Sequence, residues 1–255
     1  MMREHMLTIM AVALVLSLMG NVYLGWKLHH AGGARVNTML HAHLDSHTAG
    51  RDYRVVFIGN SLTLHPLADY WWGEWGMAAS DAEHDYVHET VQGLSQDRHV
   101  MADAMNFAAW ETMGHDRQEV LPLLEQFTAK DVDLYVVQLG ENVSKDLATM
   151  PDDLERLLKT LHERSPKAHV LVLGGFWPNE KLDAIKQATC TKLGDTYISL
   201  SDLQGEVYQS RVGATVKDNN GDEHISNHPG VAKHPGDAGM QAMADKILAT
   251  VRAAE

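Results

Sequence analysis

A serine that directly follows an apolar run is the residue best suited to nucleophilic chemistry in this sequence. Val55-Val56-Phe57-Ile58 is followed by Gly59-Asn60-Ser61-Leu62, the pattern of a buried strand that turns into a loop or helix. In open α/β sheets, ligands bind in the crevice at the carboxyl ends of the strands. Ser61 is therefore the candidate nucleophile. The alternative is a small polar residue that caps the following helix.

A serine nucleophile requires a base, and the oxyanion that forms on the attacked carbonyl requires hydrogen-bond donors. A second apolar run, residues 134–139, ends in Gly140-Glu141-Asn142 and would bring an amide to the same edge of the sheet. His234 precedes Pro235 in a loop that leads into an amphipathic C-terminal segment. The sequence predicts that His234 is the general base and that Asn142 donates to the oxyanion.

These three stretches resemble the conserved blocks of the SGNH hydrolases, the superfamily of GDSL-like esterases and lipases. Gly59-Asn60-Ser61-Leu62-Thr63 resembles the nucleophile block, Gly140-Glu141-Asn142 the oxyanion block, and His234-Pro235 with Gly239 the histidine block. The resemblance extends over roughly residues 53–253. It implies an α/β fold of the three-layer α/β/α, flavodoxin-like type with a parallel sheet, and it implies ester hydrolysis or acyl transfer.

The chain departs from the family at the position three residues before the histidine, where an aspartate is usual and Val231 stands. We expect a Ser-His dyad in which a backbone carbonyl holds the imidazole. Asp222, Glu223 and Asp237 are the alternative orienting groups. His228, also followed by proline, is a competing copy of the catalytic histidine.

A second departure concerns the glycine whose backbone N–H usually helps to hold the oxyanion. Counting from Asn106, that position falls on Glu111. Every residue except proline has a backbone N–H, so the resemblance predicts three oxyanion donors: the N–H groups of Ser61 and Glu111, and the Asn142 amide.

Aromatic residues crowd the loop that follows the candidate nucleophile. Trp71, Trp72 and Trp75, with His65 and the neighbouring Tyr70, could form a substrate-binding wall for a sugar or an acyl chain. The alternative is that these side chains pack the loop onto the domain or touch a bilayer.

The histidines suggest a metal site less strongly than their number implies. His84 and His88 have helical i,i+4 spacing, but the sequence between them lacks the glutamate of the His-Glu-x-x-His zinc motif. His224, His228 and His234 have no specific ligand spacing. We predict neither a metal nor another cofactor.

The N-terminal region predicts a membrane anchor. Residues 6–26 contain no charged side chain and approach the ~20 residues that cross a bilayer core. The predicted organisation is an anchor over residues 1–27, with a signal peptide as the alternative, a linker over 28–51 and a catalytic domain over 52–255. The catalytic domain is expected to be periplasmic or extracellular.

Charge excludes one class of partner. The chain has a formal net charge of −13, which disfavours nucleic acid binding. Neutral esters or carbohydrate acyl groups suit this charge better. The single cysteine allows no intrachain disulfide.

The remaining periodicity predicts alternating strands and helices, as in a parallel sheet. The predicted elements after the Ser61 strand are a helix over 82–94, a strand over 100–107, a helix over 115–127, the Asn142 strand, a helix from Pro151 to His162, a strand over 169–173, a helix over 180–193 and a strand over 196–200.

These inferences lead to a functional hypothesis of a serine esterase that removes O-acetyl groups from an envelope or exported carbohydrate through an acyl-Ser61 intermediate. The expected partners are an acylated carbohydrate, the membrane and envelope polysaccharide machinery. Two alternatives are a polysaccharide O-acetyltransferase that uses the same site and a catalytically silent carbohydrate-binding or assembly protein.

Overall fold

A computed structural model describes residues 40–255 of the chain, apart from 47–48, 128–130 and 144–146. Residues 40–255 form one compact unit, and the following description concerns that unit. The predicted membrane anchor, residues 1–27, lies outside the described residues. Within the described part of the chain, no helix is both long and apolar enough to cross a bilayer.

A six-stranded sheet forms the centre of the domain, in the order β1-β3-β2-β4-β5-β6. Only β1 runs antiparallel to its neighbour. The five parallel strands, counted from β2, have the order 2-1-3-4-5, which is the flavodoxin-like order. The strands are β1 His41–Asp45, β2 Asp52–Gly59, β3 His99–Asn106, β4 Leu134–Gln138, β5 His169–Leu173 and β6 Thr196–Ile198.

Helices accompany this sheet on both sides, as the alternation of buried side chains along β2 shows. Val55 and Phe57 share one hydrophobic cluster with α1 and α6, whereas the alternate Val56 and Ile58 are equally buried outside that cluster and face the other side. Helices α4 and α5 pack against each other. The helices are α1 Tyr86–Leu94, α2 Ala108–Thr112, α3 Leu121–Phe127, α4 Met150–Arg164, α5 Glu180–Leu193 and α6 Asp237–Ala254.

Strand β1 lies within the segment that the sequence predicts to be a linker. It pairs with β3 from His41 opposite Met105 to Asp45 opposite Met101, and both His41 and His43 contact Asp103 at 3.0 Å. The strand has no apolar run because it lies at the sheet edge, where backbone pairing and these polar contacts hold it. The sheet therefore includes residues before the predicted domain start at 52.

Several predicted elements agree with the structure, and others differ in kind. The strand over 169–173 and the helix over 180–193 have the predicted bounds. The predicted helix over 115–127 is a 3₁₀ helix, Gly114–Val120, followed by α3. The sequence analysis missed a hairpin of two strands, β7 Ala214–Lys217 and β8 Glu223–Ser226.

Candidate active site

A tight turn at the end of β2 presents Ser61. Gly59 is required there, because a Cβ at this position would lie 1.8 Å from Thr63 Oγ1 and 2.9 Å from the Gln138 carbonyl oxygen. Asn60 then folds the chain back, with its Oδ1 accepting from the Leu62 N–H at 3.1 Å. The turn places Ser61 at the carboxyl edge of the sheet, as the sequence predicts.

Ser61 and His234 meet directly across this edge. Ser61 Oγ lies 3.0 Å from His234 Nε2, and His234 Nδ1 lies 2.9 Å from the Gly230 carbonyl oxygen. A carbonyl oxygen can only accept, so Nδ1 carries the proton and Nε2 faces Ser61 as an acceptor. The arrangement is a dyad held by a backbone carbonyl, the form that we expected from the missing aspartate.

The alternative orienting carboxylates have other surroundings in the described part of the chain. Asp237 accepts from the Ser80 N–H at 2.7 Å, while Glu223 is exposed on β8. Asp222 is exposed in the β7–β8 turn. The competing His228 stacks on Tyr70 with ring centroids 4.6 Å apart. His234 is the histidine that contacts Ser61.

The surroundings of His234 favour the neutral imidazole. Desolvation lowers the pKa of His234 to about 4, and the bond to the Gly230 carbonyl opposes this shift. The imidazole is therefore neutral at pH 7 and can accept the Ser61 proton.

Backbone bonds fix the loop that carries His234. A 3₁₀ turn, Val231–Lys233, precedes the histidine, and the His234 N–H donates to the Val231 carbonyl at 2.9 Å. The Ser210 N–H donates to the His234 carbonyl at 2.9 Å. The imidazole is thus positioned by main-chain contacts on both sides.

Trp177 supports the histidine and was missed by the sequence analysis. Its ring meets the His234 ring edge-on, with centroids 4.9 Å apart at 85°, and its Nε1–H donates to the Lys233 carbonyl at 3.0 Å. The available signal was its position after Gly174-Gly175, just beyond the end of a buried strand.

Glu111 lies in a short helix that follows the Asn106 strand. It is the fourth residue of α2, and Phe107 is the N-cap residue of that helix. The Phe107 carbonyl accepts from the Trp110 N–H at 3.0 Å. The oxyanion role of the Glu111 N–H stays a prediction.

The side chain of Glu111 connects the segment that carries Asn60 with the segment that carries Asn142. Glu111 is 1% exposed. Its carboxylate accepts from Asn60 Nδ2 at 3.0 Å, from Asn142 Nδ2 at 2.6 Å and from the Gly140 N–H. Asn60 Nδ2 also donates to Glu141 at 2.8 Å. Asn142 is thereby connected through one carboxylate to the residue that precedes Ser61.

Three of the four predicted substrate-binding residues belong to the interior. Trp71 is 0% exposed and Trp75 is 3% exposed; their rings pack edge-to-face inside the hydrophobic cluster, with centroids 5.9 Å apart. His65 is also buried, and burial lowers its pKa to about 4. Loop packing has withdrawn most of the surface of these side chains from solvent, and among the three only Trp71 lines one of the two grooves described below. Their role in substrate binding stays a prediction.

Trp72 is the predicted substrate-binding residue that remains at the surface. It stacks on His224 of β8 with centroids 4.7 Å apart at 9°, and the neighbouring Tyr70 stacks on His228. It borders two shallow grooves of about 280 and 340 Å³. The first groove is also lined by Leu67, Ala68, Trp71, Asp218, Asn219 and Asn220, and the second by Asp69, Tyr70, Ile225, Asn227, His228 and Pro229.

The histidines considered as metal ligands have carboxylate or aromatic partners. His84 Nδ1 lies 2.5 Å from Asp81, and His88 Nδ1 lies 2.8 Å from Asp85. Over the described residues, no group of three or more potential metal-ligating side chains comes together.

The chain has the fold of the SGNH hydrolases, as its likeness to solved structures shows. A candidate GDSL-like lipase from Bacteroides ovatus aligns with a TM-score of 0.54 at 13% identity, covering 81% of this chain and 100% of that one. A candidate lipase from Chitinophaga pinensis aligns with a TM-score of 0.51 at 13% identity, covering 79% and 98%.

A family-two carbohydrate esterase from Cellvibrio japonicus aligns with a TM-score of 0.46 at 18% identity, covering 80% of this chain and 62% of that one. No protein-family model and no curated protein matches the sequence. At these identities the likeness shows the fold alone.

Proposed function

We propose that this protein is a serine esterase of the SGNH type that removes short acyl groups, O-acetyl in particular, from a carbohydrate. The observation that carries the proposal is the contact of 3.0 Å between Ser61 Oγ and His234 Nε2, with Nδ1 held by the Gly230 carbonyl. A nucleophile, a neutral base and an orienting group in this order are the requirements for acyl transfer to serine.

The reaction follows from these contacts in two halves. His234 Nε2 removes the Ser61 proton while Oγ attacks the ester carbonyl, and the Ser61 N–H and the Asn142 amide hold the oxyanion. The ester C–O bond then breaks, the alcohol leaves with the proton from His234, and acyl-Ser61 remains. Water then attacks this ester while His234 Nε2 removes its proton. The bond between the acyl carbon and Ser61 Oγ breaks, the carboxylic acid leaves, and His234 returns the proton to Oγ.

Trp72 and its grooves support a carbohydrate as the alcohol part of the ester. A partly exposed indole presents an apolar surface, and Asp218, Asn219 and Asn220 line the same groove with groups that can hydrogen-bond hydroxyls. The acidic chain suits a neutral sugar better than a polyanion.

The proposed location is the cell envelope. Residues 6–26 carry no charged side chain, which supports a membrane anchor over 1–27 with the catalytic domain periplasmic or extracellular. An acylated envelope or exported polysaccharide would be within reach of such a tethered enzyme, beside the machinery that handles it.

The test is hydrolysis of p-nitrophenyl acetate by the full chain, compared with Ser61→Ala and with Ser201→Ala, an exposed serine on a 3₁₀ turn. We expect Ser61→Ala to lower kcat by about 10³-fold or more and Ser201→Ala to retain the wild-type rate. Equal rates for wild type and Ser61→Ala would refute the esterase and favour a silent binding protein. Mass spectrometry with an added oligosaccharide acceptor would reveal an acyltransferase as an acetylated product.

A further inference from the structure

The Glu111 carboxylate is surrounded by hydrogen-bond donors. Besides the Asn60 and Asn142 amides and the Gly140 N–H, the Asn142 N–H also points to it at 3.4 Å. An ionised carboxylate can only accept, so it selects the nitrogen of the Asn142 amide rather than the oxygen. One hydrogen of that nitrogen is bound by Glu111, and the second is left to donate elsewhere.

We propose that Glu111 is a positioning residue for the acyl-transfer reaction: its ionised carboxylate orients the Asn142 amide as the oxyanion donor and ties it to Asn60, beside the nucleophile. The inference rests on the proposed esterase function. It assigns to the side chain of Glu111 a role at a position where the resembling family places a glycine.

Protonation of Glu111 would disturb this arrangement, because a carboxylic acid O–H would face N–H donors. Burial, and then the neighbouring Glu141 carboxylate, raise the pKa of Glu111 to about 7, whereas the donor bonds lower it. Two cations lie near this site. Arg117 contacts the Glu111 backbone carbonyl at 3.5 Å and directs its other nitrogen to Asp153 at 2.9 Å. The buried Lys186 Nζ lies beside Gly140 and donates to the Leu173 carbonyl at 2.9 Å. Glu111 therefore changes charge in the neutral range, well above His234.

The first experiment measures kcat against pH for wild type, Glu111→Gln and Glu89→Gln. We expect the wild-type kcat to fall on acidification with a midpoint near pH 7, and the Glu111→Gln kcat to be at least about 10-fold lower, with its acid limb moved toward the pKa of His234. Glu89 is a matched control, since burial also raises its pKa to about 7 and it lies on α1. If the kcat of Glu111→Gln still falls with a midpoint near pH 7, the proposal is overturned.

A double-mutant cycle tests whether Glu111 acts through Asn142. Asn142→Ala should lower kcat by about 10²-fold, and adding Glu111→Gln should lower it no further. Independent, multiplicative losses would contradict the proposal. If Glu111→Gln does not fold, the pH dependence of kcat for Asn142→Ala still tests the proposal. We expect this variant to show no fall in kcat with a midpoint near pH 7, and such a fall would contradict the proposal.

A measurement without turnover separates this proposal from the proposed function. The side-chain amide signals of Asn142 in a ¹H–¹⁵N spectrum should shift with a midpoint near pH 7 in wild type and in Ser61→Ala. Absence of this titration would refute the role of Glu111 even in an active enzyme. Its presence without Ser61-dependent hydrolysis would refute the esterase and leave the Glu111–Asn142 coupling established.

Discussion

Val231 stands where the resembling family carries an aspartate, and its side chain points into the hydrophobic cluster with 1% of its surface exposed. The imidazole is instead held through the carbonyl of the preceding residue, Gly230. At the start of the 3₁₀ turn that begins at Val231, the Val231 side chain therefore packs in the core, while the adjacent main-chain carbonyl orients His234.

This arrangement predicts that restoring the family residue will not complete a triad. Val231→Asp would bury an unpaired carboxylate, and we expect it to lower the free energy of unfolding by about 3–5 kcal/mol without raising kcat. Val231→Ala, as the control, should cost less, roughly 1–2 kcal/mol. Urea denaturation and p-nitrophenyl acetate hydrolysis provide the two measurements. A Val231→Asp variant of unchanged stability and higher kcat would contradict this interpretation.

At this scale the sequence predicted the contact partners better than their surroundings. Ser61 and His234 were recognisable because each has a distinctive position, after a buried strand or before a terminal helix. The contacts of the Glu111 carboxylate were not recognisable, because its partners Asn60 and Asn142 are 51 and 31 residues away in the chain. A local sequence pattern does not show whether the side chain or the main chain of a residue faces a site.

At the scale of elements, the loop after β2 and the β7–β8 hairpin together form the surface beside the active site. Tyr70 and Trp72 come from the loop, and His224 and His228 come from the second strand of the hairpin and the segment that follows it. The loop has no regular periodicity, so the sequence could not predict that Trp71 and Trp75 turn inward while Trp72 remains at the surface.

Trp72 should therefore contribute to binding of extended substrates and not to the chemical step. We expect Trp72→Ala to raise KM for an acetylated oligosaccharide by about 10-fold, the value of one lost aromatic contact of about 1.4 kcal/mol, while kcat/KM for p-nitrophenyl acetate stays unchanged. Trp72→Phe, which keeps a ring, should recover most of the affinity. Equal losses on both substrates would indicate a structural role instead.

Strand β1 shows the same limit of local patterns. Residues 41–45, His-Ala-His-Leu-Asp, alternate polar side chains with small or apolar ones, and an edge strand of this kind is specified by the partner that it pairs with. Buried strands such as β4 and β5 are specified by their own apolar runs, and the sequence predicted these strands.

At the scale of the whole molecule, we expect the stability of the fold to depend on pH through the buried imidazole of His65. The pKa of His65 is lowered from 6.5 to about 4 by burial, so the unfolded chain binds more protons between these pH values. Stability from this group is present above pH 6.5 and is lost as the pH falls toward 4.

His65→Asn should remove this dependence. From pH 7 to pH 4.5, the free energy of unfolding of wild type should fall by about 2–3 kcal/mol more than that of the variant. The reason is that only the wild-type chain takes up a proton at this position when it unfolds. Denaturant midpoints at the two pH values provide the measurement. A gap that is constant with pH would show that His65 is not kept neutral by the fold.

The Gly230 carbonyl has one further consequence for how this activity can be lost or altered. A carboxylate partner can be deleted by a single codon change, but the peptide oxygen that holds His234 is present whatever side chain occupies position 230. A point substitution can detach the imidazole from its partner only by changing the path of the main chain. The orientation of the base therefore depends on the shape of this short turn and not on the identity of an acidic residue.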